Sequence, residues 1–230
     1  MRVAVTKGRL ERSFMKLMEQ AGYDCSPLRD KGRKLLVDIP GAGMEFFLAK
    51  APDVITYVEH GVCDIGIVGK DTIVEQGGTY YEIMDLGIGI CRFALAAPKG
   101  ADLFGGYGAK ETPMEDTSQT GGEYERHRGD QRFPKTIATK YPNFAERYFE
   151  SKGMDVEIIK IEGSVEIAPL LRLADAIVDI VETGATLEEN GLAVVENIRD
   201  ISARLIVNVT SMKLKKDEVD GFASRLATVI

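Results

Sequence analysis

Two carboxylates and a tetrapeptide rich in threonine and glycine follow one another in the last quarter of the chain. Asp179 and Glu182 close an apolar run, and Thr183-Gly184-Ala185-Thr186 comes directly after them. Backbone N–H groups and hydroxyls at the start of a helix suit a phosphate group, and Gly184 permits close approach. The carboxylates repel phosphate, but they accept hydrogen bonds from sugar hydroxyls or bind magnesium. The spacing favours a sugar-phosphate site, although the tetrapeptide alone is equally typical of an ordinary β-to-α connection.

The elements on either side of this tetrapeptide follow from the neighbouring residues. Residues 177–181 are apolar at both parities around Asp179. This pattern predicts a strand of a parallel sheet that is covered on both faces, and ligands bind at the carboxyl end of such strands. Thr186-Leu187-Glu188-Glu189 has the form of a capping box, which predicts that a helix begins with Thr186 as its N-cap.

Strand-like and helix-like segments alternate along most of the chain, which is typical of α/β folds. A strand at 2–6 is followed by helical periodicity that ends at Gly22. Further strands are predicted at 35–39, 45–49, 63–69, 136–139, 156–161 and 201–209, and a last helix at 216–230. Residues 83–98 are apolar without helical periodicity, and we expect them to run between two lobes. The polar, glycine-rich stretch 101–134 is predicted to be a mobile loop.

Composition narrows the class of protein. The 230 residues carry a net charge of −7, which argues against a nucleic-acid-binding surface. Cys25, Cys63 and Cys91 are widely spaced in apolar surroundings, so we expect buried thiols. His60 and His127 lack the spacing of a zinc site or a triad. No apolar run has the length of a signal peptide or a membrane span, so we expect a cytoplasmic protein that does not contact membranes.

Several blocks of the sequence, taken in order, resemble one enzyme family. They are TKGRL at 6–10, TYVEHGVCDIGIVGKD at 56–71, ATKYPNFAERYFESKG at 138–153, GSVEIAP at 163–169, DAIVDIVETGATL at 175–187 and DISARLIVN at 200–208. Together they resemble ATP phosphoribosyltransferase, which opens histidine biosynthesis. The chain length is similar to that of the short form of the family. That form implies a homo-oligomer, such as a dimer, and a hetero-oligomer with a regulatory subunit related to histidyl-tRNA synthetase.

The resemblance also implies a fold. It is an α/β fold of the type II periplasmic-binding-protein kind, with two lobes and a discontinuous first lobe. Lobe I is expected at 1–90 and 203–230, and lobe II at 91–202.

The implied reaction transfers the 5-phosphoribosyl group of 5-phosphoribosyl 1-diphosphate (PRPP) to N1 of ATP and releases pyrophosphate. The cofactor is Mg²⁺ bound to the substrate, without an assigned protein ligand. Because adenine N1 already carries a free lone pair, the reaction needs no general base. By resemblance, Asp179 and Glu182 hold the ribose, and Thr183, Gly184, Ala185 and Thr186 bind the 5-phosphate.

The cations must come from elsewhere, because the tetrapeptide contains no Lys or Arg. Lys7 and Arg9 flank Gly8 at the end of the first strand and are candidates to bind the triphosphate or the diphosphate. Arg33 and Lys50 match family positions that neutralise the diphosphate. As isolated residues, all four are more typical of solvated surface charges than of ligand sites. The family position favours a binding role for Arg33 and leaves both interpretations open for Lys50.

The sequence departs from the family pattern at three places. Lys50 stands where arginine is expected, Arg172 stands where glycine is usual, and 101–134 is longer and more polar than expected. Two alternatives stay open. The same two-lobed architecture also hosts binding modules, and Lys50 and Arg172 suggest a weakened subunit that needs a partner for turnover.

Overall fold

The computed structural model describes residues 1–101, 103 and 134–230. The described chain forms two compact units. Unit 1 comprises Met1–Ala94, Ile180–Thr183 and Glu196–Ile230, and unit 2 comprises Leu95–Asp179 and Gly184–Val195. The loop predicted at 101–134 lies outside the described residues, apart from 101, 103 and 134. The lobe boundaries drawn from the sequence remain predictions.

The described strands and helices alternate over most of the chain. The strands are β1 Arg2–Thr6, β2 Leu36–Ile39, β3 Met44–Ala49, β4 Ile65–Gly69, β5 Tyr81–Asp85, β6 Cys91–Pro98, β7 Lys135–Thr139, β8 Val156–Lys160, β9 Ala176–Val181, β10 Leu192–Ile201 and β11 Ala203–Val207. The helices are α1 Arg9–Gln20, α2 Ser26–Arg29, α3 Ala51–Glu59, α4 Lys70–Gln76, α5 Pro142–Ser151, α6 Ile167–Leu170, α7 Ala185–Glu189, α8 Val209–Leu214 and α9 Lys216–Ala227. Within the described ranges, no helix is long and apolar enough to span a bilayer.

Unit 1 is built on a six-stranded mixed sheet in the order β2-β3-β1-β4-β11-β5. β3, β1 and β4 run parallel, and β2 and β11 are antiparallel to their neighbours β3 and β4. The carboxyl ends of the three parallel strands therefore meet at one edge of the sheet. The amino end of β2 lies at the same edge, because β2 runs the opposite way.

Apolar helix faces cover both sides of this sheet. The predicted periodicity of α1 is confirmed, since Phe14, Leu17 and Met18 are buried in one core together with Phe222 of α9. On the other side α3 buries its own apolar stripe in a second cluster. Burial on both faces explains why β1 and β4 are apolar at successive positions.

The second sheet has five strands in the order β10-β6-β9-β7-β8. β9 pairs with β7 in parallel, and Ala176, Ile177 and Val178 are buried. The parallel, two-sided strand predicted around Asp179 is therefore confirmed. Unit boundaries fall inside β6, between Ala94 and Leu95, and inside β10, between Val195 and Glu196.

The strand predicted at 201–209 is wrong in its extent. β11 ends at Val207, Asn208 caps α8, and Ile201 belongs to the separate strand β10. β10 escapes prediction because it lies at an edge of its sheet and exposes most of its side chains, so it lacks the apolar pattern of a buried strand.

Candidate functional site

Two predicted lysines lie side by side at the carboxyl edge of the unit 1 sheet. β1 and β3 are paired up to Thr6 and Ala49, and the Lys7 N–H donates a 2.9 Å hydrogen bond to the Ala49 carbonyl. Lys7 and Lys50 are the next residues of the two strands, and both side chains are exposed. Lys50 is also the N-cap residue of α3. The register of the parallel strands thus brings two positive charges to one edge.

Arg33 reaches the same edge through the antiparallel strand β2. Leu36 pairs with Phe47, and the Leu48 N–H donates a 2.8 Å hydrogen bond to the Leu35 carbonyl. Arg33 is exposed in the turn two residues before Leu35. The structure therefore places Arg33 at the sheet edge that also carries Lys7 and Lys50.

The turn between Lys7 and Arg9 depends on a glycine. Gly8 is the N-cap of α1 and has φ +94°, a conformation that residues with a Cβ rarely adopt. The Gly8 N–H donates a 3.2 Å hydrogen bond to the Glu11 carboxylate, which also forms a 3.2 Å ion pair with Lys31. Glu11 was not predicted as a site residue, although Gly8-x-x-Glu11 has the spacing at which a carboxylate caps a helix start.

The connection from β9 to α7 carries the predicted carboxylates and the tetrapeptide. Asp179 is half-buried within β9, and Glu182 is exposed one residue after β9 ends at Val181. Gly184 has φ +87° and α7 begins at Ala185. The glycine turn predicted at the strand exit is present.

The predicted capping box at Thr186 is wrong. Gly184, and not Thr186, is the N-cap of α7, and no side-chain cap occurs there. Thr186 already lies inside the helix, where its carbonyl accepts the 3.2 Å hydrogen bond of the Asn190 N–H. The left-handed backbone of Gly184 turns the chain one residue after Thr183, so the helix starts earlier than the capping pattern indicates.

Two predicted site residues contact each other within unit 1. The Arg9 guanidinium forms an ion pair with the Glu182 carboxylate, and both side chains are slightly more than half exposed. The sequence offers no signal for this pair, because 173 positions separate the two residues (182 − 9).

Comparison with known proteins identifies the family of this chain. The model of the family described as "HisG: ATP phosphoribosyltransferase" matches residues 50–228. The ATP phosphoribosyltransferase of Clostridium kluyveri is 50% identical over 229 residues, which are 100% of this chain and 93% of that protein. The enzyme of the same name from Bacillus cereus is 53% identical over 94% of this chain and 90% of its own length. The chain belongs to the ATP phosphoribosyltransferase family.

Solved structures agree with this membership. The ATP phosphoribosyl transferase (HisG:HisZ) complex from Thermotoga maritima contains a chain that is 33% identical, with a TM-score of 0.74 over 100% of this chain and 98% of that chain. The periplasmic aliphatic sulphonate binding protein SsuA from Escherichia coli has a TM-score of 0.57 at 9% identity over 100% of this chain and 72% of its own. SsuA shows the fold alone and confirms the predicted periplasmic-binding-protein-like class.

Membership in the ATP phosphoribosyltransferase family confirms the predicted enzyme class and reaction. The chain is a transferase of the first step of histidine biosynthesis, in which PRPP reacts with ATP. The individual site residues are not tested by these likenesses, so their roles remain predictions.

Arg172 departs from the ATP phosphoribosyltransferase pattern at a position with a special backbone. Among the described residues, Arg172 is the one non-glycine with positive φ, at +60°. The Leu173 N–H donates to the Ala168 carbonyl at 2.9 Å and the Arg172 N–H donates to the Pro169 carbonyl at 3.1 Å. These are the two hydrogen bonds of a Schellman motif, whose left-handed residue is usually glycine. The glycine expected from the family is thus explained by the end of α6.

Thr139 is a further site neighbour that the sequence did not reveal. It is fully buried at the end of β7, and its hydroxyl donates a 2.6 Å hydrogen bond to the Val178 carbonyl next to Asp179. The same oxygen accepts the Tyr141 N–H at 2.9 Å. Thr139 therefore fixes the end of β7 to β9 beside Asp179. Tyr141 is itself only 9% exposed.

Proposed function

We propose that the predicted basic residues and the β9–α7 connection carry the phosphoribosyl transfer from PRPP to N1 of ATP. The observation that carries this proposal is the gathering of Lys7, Arg33 and Lys50 at one edge of the unit 1 sheet. Three separate parts of the backbone would have to place surface charges there by accident if these residues had no common ligand. A diphosphate or triphosphate is the ligand that needs several cations within a few ångströms.

Charge stabilisation and positioning are the main catalytic contributions of these residues. The adenine N1 lone pair attacks C1 of PRPP, the N1–C1 bond forms, and the C1–O bond to the diphosphate breaks with its electron pair on the diphosphate. Arg33 and Lys50 stabilise the negative charge that develops on the diphosphate, and Lys7 and Arg9 bind phosphate groups of the substrates. Because no proton has to leave N1 before attack, no side chain acts as general base.

Asp179 and Glu182 act on the ribose. Their carboxylates accept hydrogen bonds from the ribose hydroxyls and favour the positive charge of an oxocarbenium-like transition state. The ion pair of Glu182 with Arg9 supports a role in orientation, because it links a ribose-binding carboxylate to a phosphate-binding cation.

The tetrapeptide Thr183, Gly184, Ala185 and Thr186 binds the 5-phosphate. The left-handed Gly184 allows a phosphate oxygen to approach the backbone, and the start of α7 presents N–H groups at the positive end of the helix. The Thr183 and Thr186 side chains are exposed and supply two hydroxyl donors.

We further propose that Mg²⁺ reaches the site bound to PRPP. No group of three or more His, Cys, Asp or Glu side chains within the described ranges is arranged to hold a metal. Mg²⁺ usually keeps several waters and binds substrate phosphate oxygens, so it needs few protein ligands. When bound, the ion would neutralise charge on the departing diphosphate, and Asp179 and Glu182 are the carboxylates of the proposed site that would orient it.

The assembly and the compartment are also proposals. The Thermotoga maritima relative is described as a HisG:HisZ complex, and we propose that this chain forms a homodimer and a hetero-oligomer with a comparable histidyl-tRNA synthetase-like subunit. We place it in the cytoplasm, where ATP is available and its three free thiols stay reduced. The lobes are proposed at 1–90 with 203–230 and at 91–202.

An assay of the purified chain with ATP, PRPP and Mg²⁺ tests the reaction, and one pair of variants tests the phosphate site. Gly184→Val should raise the Kd for PRPP about tenfold or more, because a β-branched residue resists positive φ and blocks approach. Gly191→Val is the matched control, since Gly191 has φ +70° at the other end of α7 and no atom within 4 Å of an added Cβ. Equal PRPP affinity in both variants would refute the phosphate assignment.

A further inference from the structure

Glu11 joins two basic segments at the edge of the unit 1 sheet. Its Oε2 accepts the Gly8 N–H at 3.2 Å, and its Oε1 pairs with the Lys31 ammonium at 3.2 Å. The Glu11 and Lys31 side chains are only 17% and 23% exposed. Both oxygens of one largely buried carboxylate are therefore used, each on a different segment.

The first contact fixes the turn between two proposed phosphate-binding side chains. Gly8 lies between Lys7 and Arg9, and its φ of +94° is one of many conformations open to glycine. The Glu11 carboxylate selects this conformation by accepting the Gly8 N–H, while the Arg12 N–H bonds to the Gly8 carbonyl at 3.2 Å. The directions in which Lys7 and Arg9 leave the backbone depend on this turn.

The second contact reaches the segment that carries Arg33. Lys31 opens a turn in which the Lys34 N–H donates a 3.1 Å hydrogen bond to the Lys31 carbonyl. Arg33 is exposed within that turn. Holding Lys31 by its side chain therefore restrains the backbone on which Arg33 is carried.

Charge gives a reason for a carboxylate at this place. Lys7, Arg9, Lys31 and Arg33 lie on the two segments that Glu11 contacts, and like charges at short range repel one another. A negative charge between the segments offsets that repulsion when no substrate is present. It also lies in the first turn of α1, where the helix dipole favours an acid.

We propose that Glu11 is a positioning residue for the diphosphate-binding cations, which it holds in their binding geometry before the substrate arrives. The proposal rests on the proposed roles of Lys7, Arg9 and Arg33. Preorganised donors bind polyanions more tightly because less ordering is needed on binding. The expected signature is a loss of PRPP affinity that exceeds the loss of turnover at saturation.

The test measures the Kd for Mg²⁺–PRPP by calorimetry, together with kcat, KM and the melting temperature. Glu11→Ala removes both contacts and should raise the Kd and the KM for PRPP about tenfold, with less than about a twofold change in kcat. Glu11→Gln keeps an acceptor for the Gly8 N–H and loses the ion pair with Lys31. Lys31→Met also removes this ion pair, and it leaves the Glu11 carboxylate to accept the Gly8 N–H. Both should raise the Kd about threefold, and the double variant should be no worse than either single one.

Glu19→Gln is the matched control, because Glu19 is also on α1 and its carboxylate pairs with Arg29 of α2. Wild-type PRPP affinity in Glu11→Ala, or a loss confined to the melting temperature, would overturn the positioning role. A wild-type chain that binds PRPP but forms no product would instead count against the proposed reaction and leave the affinity comparison to decide the role of Glu11. A wild-type chain that does not bind PRPP would overturn both.

Discussion

The Ser211 hydroxyl donates a 2.6 Å hydrogen bond to Oδ1 of Asp64, although 147 positions separate the two residues. Asp64 is 5% exposed and also accepts the Arg2 N–H at 2.8 Å and the Lys215 ammonium at 3.0 Å. This carboxylate therefore joins β1, the start of β4 and the α8–α9 segment in unit 1.

We expect Asp64→Asn to destabilise the protein by about 2–3 kcal/mol, because it removes the charge that pairs with Lys215 from a buried network. Urea unfolding followed by circular dichroism measures the change. Asp220→Asn is the control, since its pair with Lys216 is exposed on α9 and should contribute no measurable stability. An Asp64→Asn variant with wild-type stability would show that the network is not stabilising.

The same carboxylate predicts how stability depends on pH. Burial alone raises the pKa of Asp64, but the hydrogen bonds from Ser211, the Arg2 N–H and Lys215 outweigh burial and leave the pKa below its ordinary value of 3.8. A lowered folded-state pKa stabilises the protein above 3.8, and this stability is lost as the pH falls through the lowered value.

The difference in unfolding free energy between wild type and Asp64→Asn should therefore stay constant between about pH 7 and pH 5 and shrink at lower pH. Urea titrations at several pH values measure it. A difference that grows on acidification would contradict the assigned sign.

Arg172→Gly should stabilise the protein by about 1 kcal/mol, because the left-handed backbone strains a residue with a Cβ. Thermal and urea unfolding measure the gain. Arg172→Ala keeps the Cβ and removes the rest of the exposed side chain, so its stability should match the wild type. Equal stabilisation by both substitutions would assign the effect to the arginine side chain and not to the backbone.

Thiol reactivity should follow burial. Burial raises the pKa of Cys25 to about 11 and that of Cys63 to about 12, and these side chains are 2% and 0% exposed. Cys91 is half-buried, and burial also raises its pKa. With a disulfide reagent at pH 8, Cys91 should react first and the other two only as the protein unfolds. Immediate reaction of all three in the absence of urea would contradict this burial.

Sequence reasoning found the parts of the molecule whose pattern is local. The apolar stripe of α1 and the apolar run of β9 could be predicted because both are buried. Buried elements show apolar residues at regular spacings in the sequence. The exposed edge strand β10 has no such apolar pattern. The predicted capping box at Thr186 was wrong because the backbone freedom of Gly184 lets the helix begin earlier. A sequence that matches the capping pattern can still start its helix at a neighbouring residue.

Only some residues of the site could be predicted from the sequence, for a related reason. Residues directly after strands β1, β3 and β9 are easy to locate, since ligands bind at the carboxyl ends of parallel strands in α/β folds. Contacts between distant positions, such as Arg9 with Glu182 or Thr139 with Val178, leave no pattern in a single sequence. Glu11 did leave a capping signal, but that signal does not reveal its second partner, Lys31.

Lys50→Arg should increase kcat/KM for PRPP by severalfold, if Lys50 binds the diphosphate as proposed. A guanidinium forms two parallel hydrogen bonds with phosphate oxygens, whereas an ammonium acts as a single charged donor. Lys50→Met should lower kcat/KM by about tenfold or more, since a hydrogen bond to a charged group contributes about 1.5–3 kcal/mol. Lys16→Met removes an exposed charge from α1 and should leave the kinetics unchanged. If Lys50→Met retains wild-type kcat/KM, Lys50 is a surface charge and the cationic site is confined to the segments held by Glu11.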